Sequence, residues 1–332
     1  MKLGIIVRSD NTGLGIQTRS YYKHLKPYRT LIVDISEHNG NEQHYQWYEN
    51  ADVCKGMITD QVARTFLEGL DVVLTAETAY SPNFYAIARQ MGVKTVCVEN
   101  PEFYDHIVYP NIQLPDVIIL PSVWKQAEIT AHATSKGCKV VQLHHPVDRD
   151  EFKYIERTRV DFLHIAGKPA TQDRNGTFDF MQACPTGTVT TQSADLAQHL
   201  RRQYRHSTVY TNINDPVKLY ELGTVLVMPR KYGGNCLPLN EALSTGMPVI
   251  MPDISPNNNI LPIEWLVPAT ITGFFEPRTR VDIYSTNIKY LYGKLEWLKT
   301  CDIKAESQKA NAIADTISWK TLLPEYERVL YG

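Results

Sequence analysis

Short apolar runs rich in valine and isoleucine recur along the chain, and stretches with helical spacing such as "IQTRSYYKHL" separate them. This alternation is typical of parallel sheets whose crossovers are helices. The series runs through the first half of the chain and then restarts, which predicts an α/β protein with two doubly wound, Rossmann-like domains. The predicted strands are residues 2–7, 30–35, 71–76, 93–98, 116–121 and 139–143, then 160–167, 186–191, 207–211, 224–229 and 247–252.

The restart follows the segment "HHPVDRDEF" (144–152), so we place the first domain at residues 1–147 and begin the second at residue 148. A chain of 332 residues has enough material for both domains. Open parallel sheets bind ligands beyond the carboxyl ends of their strands, and two such sheets facing one another form a cleft. Functional side chains are therefore expected directly after strands.

Composition narrows the choice of partners and of cellular compartment. A formal net charge of -2 argues against a broad cationic surface for nucleic acid and leaves only a local groove open. The cysteines are scattered and form no C-x-x-C pair, which favours reduced thiols in a cytoplasmic protein. No apolar run has the length of a signal peptide or a membrane span, so we expect a soluble protein without a transmembrane segment.

Glycines and acids follow the strands of the first domain. The loop "NTGLGIQTR" (11–19) puts Gly13 and Gly15 between a strand and a helix. A ligand loop and a plain tight turn are equally good interpretations, because the third glycine of the dinucleotide fingerprint is missing. Glu77 and Glu99 follow two later strands, and each is either an acid at the edge of a cleft or one half of an ion pair.

Two cations, Lys168 and Arg174, follow the first strand of the second domain. Such a pair neutralises a diphosphate when both side chains reach it, and the alternative is two solvated surface cations. Asp148 and Asp150 have the D-x-D spacing of some divalent cation sites. Their position before a helical segment favours a capping or loop role, so we predict no obligatory metal.

The stretch "YGGNCLPLNEALSTGMPVIMP" (232–252) contains a single acid, Glu241. The residues after it read as a short helix that a Gly-x-Pro turn ends, which predicts Glu241 in the first helical turn. An acid there stabilises the helix through its dipole and needs no other role. The alternative is a binding site, in which the backbone N–H groups of Gly233 and Gly234 hold an anionic ligand beside the carboxylate.

Taken in order, these segments resemble the GT-B glycosyltransferases, in particular the retaining family 4 type. That family has a glycine-rich loop after its first strand, similar to "NTGLG", a later "PS" similar to "LPSVWKQAEI", and a hinge loosely similar to "HPVDRDEF". Its long block ending in G-L-P-x-x-E-A-x-x-x-G-x-P-V-I is similar to "LGTVLVMPRKYGGNCLPLNEALSTGMPVI" (222–250). Its G-R-x…K-G pattern is matched by Gly167, Lys168, Arg174 and Gly176, and its terminal helix by "SW…YERVLYG".

The resemblance implies a GT-B fold, with two Rossmann-like domains facing a central cleft. It implies a nucleotide-sugar domain at residues 148–316 and a helix at 317–332 that crosses back to the first domain. Glu241 would bind the ribose hydroxyls of the donor, ionised by the helix dipole. Gly233 stands where the family has an acid, and Glu99 where many members have a histidine. The implied donor-binding residues are Gly13, Gly15, Lys168, Arg174, Gly233, Gly234, Asn235, Cys236, Leu237 and Glu241.

From the resemblance we predict a retaining, metal-independent hexosyl- or pentosyltransferase that moves a sugar from a nucleotide-sugar to an acceptor hydroxyl. No cofactor is expected, and a UDP-sugar is the favoured donor. The acceptor stays open between a saccharide, a lipid, a protein and a modified DNA base. The candidate catalytic residues are Glu99, Lys168 and Arg174, and the candidate acceptor-binding residues are Arg8, Asp10, Asn11, Glu77 and Tyr80.

Three other activities fit the same residues. A sugar-nucleotide epimerase or phosphorylase shares the architecture and needs no acceptor. An inactive nucleotide-sugar-binding subunit fits the replacement of the family's acid by Gly233. A glycosyltransferase acting on a hydroxymethylated base in DNA requires a basic groove that the near-neutral composition does not indicate.

Overall fold

A computed structural model describes residues 1–104, 113–168, 173–213, 215–276 and 279–332. The chain forms two compact units, and each contains its own parallel sheet. Taking the described residues only, the first unit contains those of 1–145, Thr279 and the C-terminal residues 322–332, and the second contains those of 146–276 and 280–321.

The strands of the first unit's sheet all run parallel, and the central ones are buried and apolar. Its strands are β1 (Leu3–Val7), β2 (Arg29–Asp34), β3 (Asp52–Lys55), β4 (Val72–Ala76), β5 (Lys94–Val98), β6 (Val117–Leu120) and β7 (Lys139–Gln142). Their spatial order is β3-β2-β1-β4-β5-β6-β7. The direction of winding changes between β1 and β4, and ligands of open α/β sheets bind beyond the carboxyl ends of strands at such a switch point.

Helices cover this sheet, and the sequence explains where they begin. In the first of them, Thr12 caps the N-terminus, since its side chain accepts the Gly15 N–H at 3.3 Å. Phe84 and Leu67 lie fully buried in the core between helices and strands. The helices are α1 (Gly13–Leu25), α2 (Ser36–Asn39), α3 (Asp60–Leu67), α4 (Phe84–Gln90) and α5 (Gln126–Ser135), with short 3-10 turns at Tyr45–Trp47 and Pro101–Phe103.

The second unit repeats the doubly wound plan. Its parallel strands are β8 (Phe162–Gly167), β9 (Thr188–Thr191), β10 (Thr208–Thr211), β11 (Val225–Val227), β12 (Val249–Pro252) and β13 (Leu266–Val267), in the spatial order β10-β9-β8-β11-β12-β13. An antiparallel hairpin follows, made of β14 (Ala269–Phe275) and β15 (Val281–Thr286). The switch point of this sheet lies between β8 and β11.

The remaining helices follow the strands of the second unit in chain order. They are α6 (Thr177–Ala183), α7 (Ala194–Gln203), α8 (Pro216–Leu219), α9 (Leu237–Ser244), α10 (Ile288–Leu298), α11 (Ile303–Thr316) and α12 (Trp319–Tyr331), with 3-10 turns at Asn257–Asn259 and Ile263–Trp265. The C-terminal part of α12 belongs to the first unit, where the Tyr326 hydroxyl donates to the His144 carbonyl at 3.1 Å and Lys94 donates to the Val329 carbonyl at 2.8 Å. None of the helices in the described residues is both long and apolar enough to cross a bilayer.

Every strand predicted from the apolar runs is present, and the prediction of two doubly wound Rossmann-like sheets is confirmed. The prediction missed strands that lack a continuous apolar run. β3 lies at the sheet edge and exposes all its side chains but Cys54. β13 is only two residues long, and β14 and β15 pair with each other with most of their residues partly or fully exposed. These strands form by hydrogen bonding to a neighbouring strand, and they do not bury side chains on both faces of the sheet.

Candidate functional site

The second-unit candidates lie at the carboxyl ends of β8 and β11, which are neighbours at the switch point. Lys168 directly follows β8 and is exposed, and Arg174 lies partly buried in the loop that leads to α6. The loop from Arg230 to Cys236 follows β11 and enters α9. The two loops are far apart in the sequence. Parallel pairing of β8 with β11 brings both of them to the same edge of the sheet.

The loop before α6 is fixed by local hydrogen bonds and by a steric need for glycine. The Asp173 carboxylate accepts the N–H groups of Thr177 and Phe178 at 3.0 and 3.2 Å. Gly176 has φ of +71°, and a Cβ atom there would lie 2.1 Å from the Pro229 carbonyl oxygen. Only glycine therefore lets this loop close against the residues that follow β11.

Backbone and side-chain contacts then join Arg174 to the second loop. The Lys231 N–H donates to the Arg174 carbonyl at 2.8 Å. The Arg174 guanidinium carbon lies 5.1 Å from the centroid of the Tyr232 ring, and the Lys231 ammonium lies 3.7 Å from the Asp173 carboxylate. The guanidinium thus lies near the ring of the residue that precedes the glycine turn of Gly233 and Gly234, where Gly234 has φ of +58°.

Arg230 is a structural residue of this loop to which the sequence analysis gave no role. Arg230 is only 5% exposed, and both of its terminal guanidinium nitrogens donate to the Asn235 carbonyl oxygen at 3.3 Å. These bonds close the loop between Arg230 and Asn235 from the inside. The only sequence signal was an arginine immediately after an apolar strand.

Glu241 lies on α9, and its carboxylate accepts a very short hydrogen bond from the Tyr220 hydroxyl. Tyr220 is fully buried, and its ring packs edge-on against Phe152 with centroids 5.7 Å apart. Burial raises the pKa of Glu241 to about 7, the Tyr220 hydrogen bond opposes this increase, and the nearby charge of Glu151 adds to it. The carboxyl group is therefore balanced between its neutral and ionised forms near neutral pH.

The predicted position of Glu241 in the first turn of the helix was wrong. The helix begins at Leu237 with Pro238 in its first turn, where the fixed φ of proline is favourable, so Glu241 lies in the C-terminal half. The positive end of the dipole is therefore not close to the carboxylate. Desolvation, and not the dipole, sets the pKa of Glu241, and it acts in the opposite direction.

Replacing Tyr220 with phenylalanine is expected to raise the pKa of Glu241 further above 7, because a hydrogen bond that favours the carboxylate is lost. The titration of a carboxyl-labelled protein followed by 13C NMR measures this directly. Tyr210→Phe is the matched control, since Tyr210 is 41% exposed in the same unit. An unchanged titration of Glu241 in Tyr220→Phe would contradict the assigned contact.

In the first unit, Arg8 and Asp10 follow β1 and pair with each other in a very short salt bridge. Asp10 is fully buried and also accepts from the Thr12 hydroxyl at 2.5 Å and from the Asn41 amide at 3.2 Å. Its carboxylate thus organises the loop and orients Arg8. A Cβ atom on Gly15 would lie 1.8 Å from the Asp10 carbonyl oxygen, so internal packing alone requires this glycine.

Asn11 and Gly13, the other candidates of this loop, are exposed. A Cβ atom on Gly13 would meet no atom within 4 Å, so packing inside the protein does not require glycine there. The backbone at the start of α1 is therefore exposed at Gly13.

The remaining first-unit candidates follow β4 and β5 and include two residues in the left-handed backbone region. Glu77 has φ of +64° and Tyr80 of +55°, conformations that cost free energy in residues other than glycine and concentrate at functional sites. The Asn100 amide donates to the Glu77 carboxylate at 2.7 Å. Burial raises the pKa of Tyr80 to about 12, so it is a neutral hydrogen-bonding group beside Arg8.

Glu99 follows β5 and is 8% exposed. Its N–H donates to the Ile119 carbonyl at 2.9 Å, which anchors the residue to β6, and the Cys97 thiol lies 3.9 Å from its carboxylate. Burial, followed by the charge of Glu99, raises the pKa of Cys97, so the thiol is protonated and unreactive. The acid, not the thiol, is the candidate group at this strand end.

Asp148 has a loop role, which was one of the two roles predicted for the D-x-D segment, and the predicted helix after it is a turn. Its carboxylate accepts the N–H groups of Asp150 and Glu151 at 3.0 and 3.2 Å, and Arg149 pairs with Asp315. Across the part of the chain that the structure describes, no group of three or more His, Cys, Asp or Glu side chains has the arrangement of a metal site.

The fold is that of the GT-B glycosyltransferases. A glycosyltransferase from Rickettsia africae matches with a TM-score of 0.68 and 12% identity, over 99% of this chain and 97% of that one. Sucrose-phosphate synthase from Thermosynechococcus elongatus matches at 0.69 and 11%, over 99% and 98%. Anabaena HepE in complex with UDP and glucose matches at 0.70 and 12%, over 99% of both chains.

In contrast, sequence comparison finds no relative. No protein-family model matches the sequence, and no curated protein matches it significantly. At identities this low the structural similarity establishes the GT-B architecture alone. The reaction that the protein catalyses depends on the residues at the strand ends.

Proposed function

We propose that this protein is a glycosyltransferase that moves a sugar from a nucleotide-sugar donor to an acceptor hydroxyl. The observation that carries the proposal is the single edge of the second sheet that holds Arg174, the glycine turn at residues 233–234 and the helix bearing Glu241. A cation for phosphate, backbone N–H groups at a helix start and a carboxylate for sugar hydroxyls are the groups that recognise a nucleotide-sugar.

The donor residues have distinct roles in this proposal. Arg174 and Lys168 bind the diphosphate and stabilise its charge as the glycosidic bond breaks, which is electrostatic work that a divalent metal performs in other transferases. The backbone of residues 234–237 faces the donor at the start of α9, and Glu241 accepts hydrogen bonds from the ribose. A UDP-sugar is the favoured donor, supported by the structural similarity to HepE, which was solved with UDP and glucose.

The acceptor residues belong to the first unit. Arg8, oriented by Asp10, and Glu77 and Tyr80 provide polar groups at the carboxyl ends of β1 and β4. Glu99 accepts a hydrogen bond from the acceptor hydroxyl and orients it. In a retaining reaction the leaving phosphate takes the acceptor proton on the same face of the sugar, so the protein needs no strong base of its own.

A thermal-shift screen against UDP-, GDP-, ADP- and dTDP-sugars, with and without EDTA, tests the donor site. One nucleotide class is expected to raise Tm, because a ligand that binds only the folded state stabilises it by about 2.7 kcal/mol at a hundredfold excess over Kd. The shift is expected to survive chelation. No shift with any donor would remove the proposal, and a shift without sugar transfer or hydrolysis would indicate the inactive binding subunit.

Glu99→Gln is expected to lower kcat about 10²-fold while leaving the Kd for the donor unchanged, because the neutral amide accepts a weaker hydrogen bond and orients the acceptor hydroxyl less well. Donor binding by calorimetry and initial rates of transfer measure the two quantities separately. Glu68→Gln, an exposed acid of the same unit, is the matched control. A fully active Glu99→Gln protein would exclude Glu99 from the catalytic residues.

A further inference from the structure

The antiparallel hairpin β14–β15, which the apolar pattern did not reveal, contacts the loop that carries the glycine turn. The Tyr284 N–H on β15 donates to the Lys231 carbonyl at 2.7 Å. The Lys231 N–H in turn donates to the Arg174 carbonyl at 2.8 Å. One residue, Lys231, therefore links the hairpin on one side to the backbone of Arg174 on the other.

A second line of contacts runs through side chains, parallel to the first. The Phe275 ring on β14 meets the Tyr232 ring with centroids 4.8 Å apart and planes at 62°, a favourable edge arrangement. The Arg174 guanidinium carbon also lies near the Tyr232 ring, 5.1 Å from its centroid. Tyr232 is 7% exposed, so its position is fixed by packing.

The Tyr232 ring is a suitable neighbour for a guanidinium that binds a diphosphate. An aromatic ring orients a guanidinium without supplying a negative charge, whereas a carboxylate partner would compete with a phosphate. The nearby acids Asp173 and Asp179 lie 3.7 and 3.9 Å from the Lys231 ammonium, which compensates their charge. The hairpin thus supports Arg174 through the Tyr232 ring, which lies between Phe275 and the guanidinium.

We propose that Tyr232 is a positioning residue, backed by Phe275 of the hairpin, that holds the Arg174 guanidinium for the diphosphate of the donor. The inference rests on the proposed nucleotide-sugar site and names the structural element that supports it. The hairpin acts at the phosphate end of the donor only, so its loss affects nucleoside diphosphate binding and leaves nucleoside binding unchanged.

The test compares UDP with uridine by calorimetry on the full chain. Tyr232→Leu is expected to weaken UDP binding about tenfold, which corresponds to about 1.4 kcal/mol, and uridine binding less than about twofold, because the cation–π contact with Arg174 is lost. Tyr232→Phe, which keeps the ring, is expected to restore UDP affinity. Phe275→Leu is expected to weaken UDP binding about threefold and serves as the second variant if Tyr232→Leu folds poorly. Phe274→Leu is the matched control, since Phe274 is the adjacent residue of β14 and is 52% exposed.

The outcomes separate the positioning role from the donor site itself. Equal losses for UDP and uridine in Tyr232→Leu, or no loss for either ligand, would overturn the positioning role and leave the donor site in place. A wild-type protein that binds UDP no more tightly than uridine would overturn both proposals, since Tyr232 would then have no diphosphate contact to support.

Discussion

Arg174→Gln is expected to lower kcat about 10²- to 10³-fold, the loss typical when one preorganised group that stabilises developing charge is removed. The guanidinium lies over the Tyr232 ring, 5.1 Å from its centroid, so its charge is already placed when the diphosphate departs. Glutamine keeps polarity and approximate length but removes the charge. Initial rates of transfer at saturating donor measure the effect.

Two variants make the Arg174 result specific. Arg174→Lys keeps the charge but not the planar fork of hydrogen bonds, and it is expected to recover only part of the rate. Arg205→Gln removes an exposed arginine from the same unit and is expected to leave kcat unchanged. If Arg174→Gln retains wild-type kcat with intact Tm, Arg174 does not stabilise the leaving group.

Glu241→Ala is expected to weaken donor binding by about 1–3 kcal/mol at pH 8, because buried ribose hydroxyls lose a charged acceptor. The same comparison at pH 6 is expected to give a smaller loss. The pKa of Glu241 is raised to about 7, so the wild-type carboxyl group is mostly ionised at pH 8 and mostly neutral at pH 6. If the ribose hydroxyls bind the ionised carboxylate of Glu241, the affinity of the wild-type protein for the donor falls as the pH decreases through 7.

The neutral isostere isolates the contribution of the charge. Glu241→Gln is expected to bind the donor with an affinity that no longer changes between pH 6 and 8, as measured by calorimetry in matched buffers. Glu221→Gln, an exposed acid directly after Tyr220, is the control and is expected to keep the wild-type pH profile. A pH dependence that persists in Glu241→Gln would assign the titration to another group.

The apolar pattern was sufficient to predict the parallel sheets, because strands buried on both faces must be apolar at successive positions. β1 and β4 are fully buried and read as continuous apolar runs in the sequence. Edge and hairpin strands form their backbone hydrogen bonds by pairing and leave many side chains partly or fully exposed. For this reason β3, β14 and β15 have no continuous apolar run in the sequence. The hairpin that contacts Lys231 and Tyr232 was accordingly absent from the prediction.

The candidate site was only partly predictable for the same kind of reason. Residues directly after strands, such as Lys168 and Glu99, were found because parallel sheets bind ligands at their carboxyl ends. Tyr220 and Tyr232 were not found, since each acts through a neighbour distant in sequence or through ring packing. The left-handed backbone at Glu77 and Tyr80 likewise has no signal in residue type.

The sequence by itself determined the two doubly wound sheets and the loops and helix in which Arg174, the glycine turn and Glu241 are found, because apolar runs and turn residues are local patterns in the chain. Only the tertiary structure decided the environment of those groups. Burial raised the pKa of Glu241 to about 7, and chain folding placed the Arg174 guanidinium 5.1 Å from the centroid of the Tyr232 ring. Desolvation and ring contacts depend on which distant segments pack together, and no local pattern encodes that.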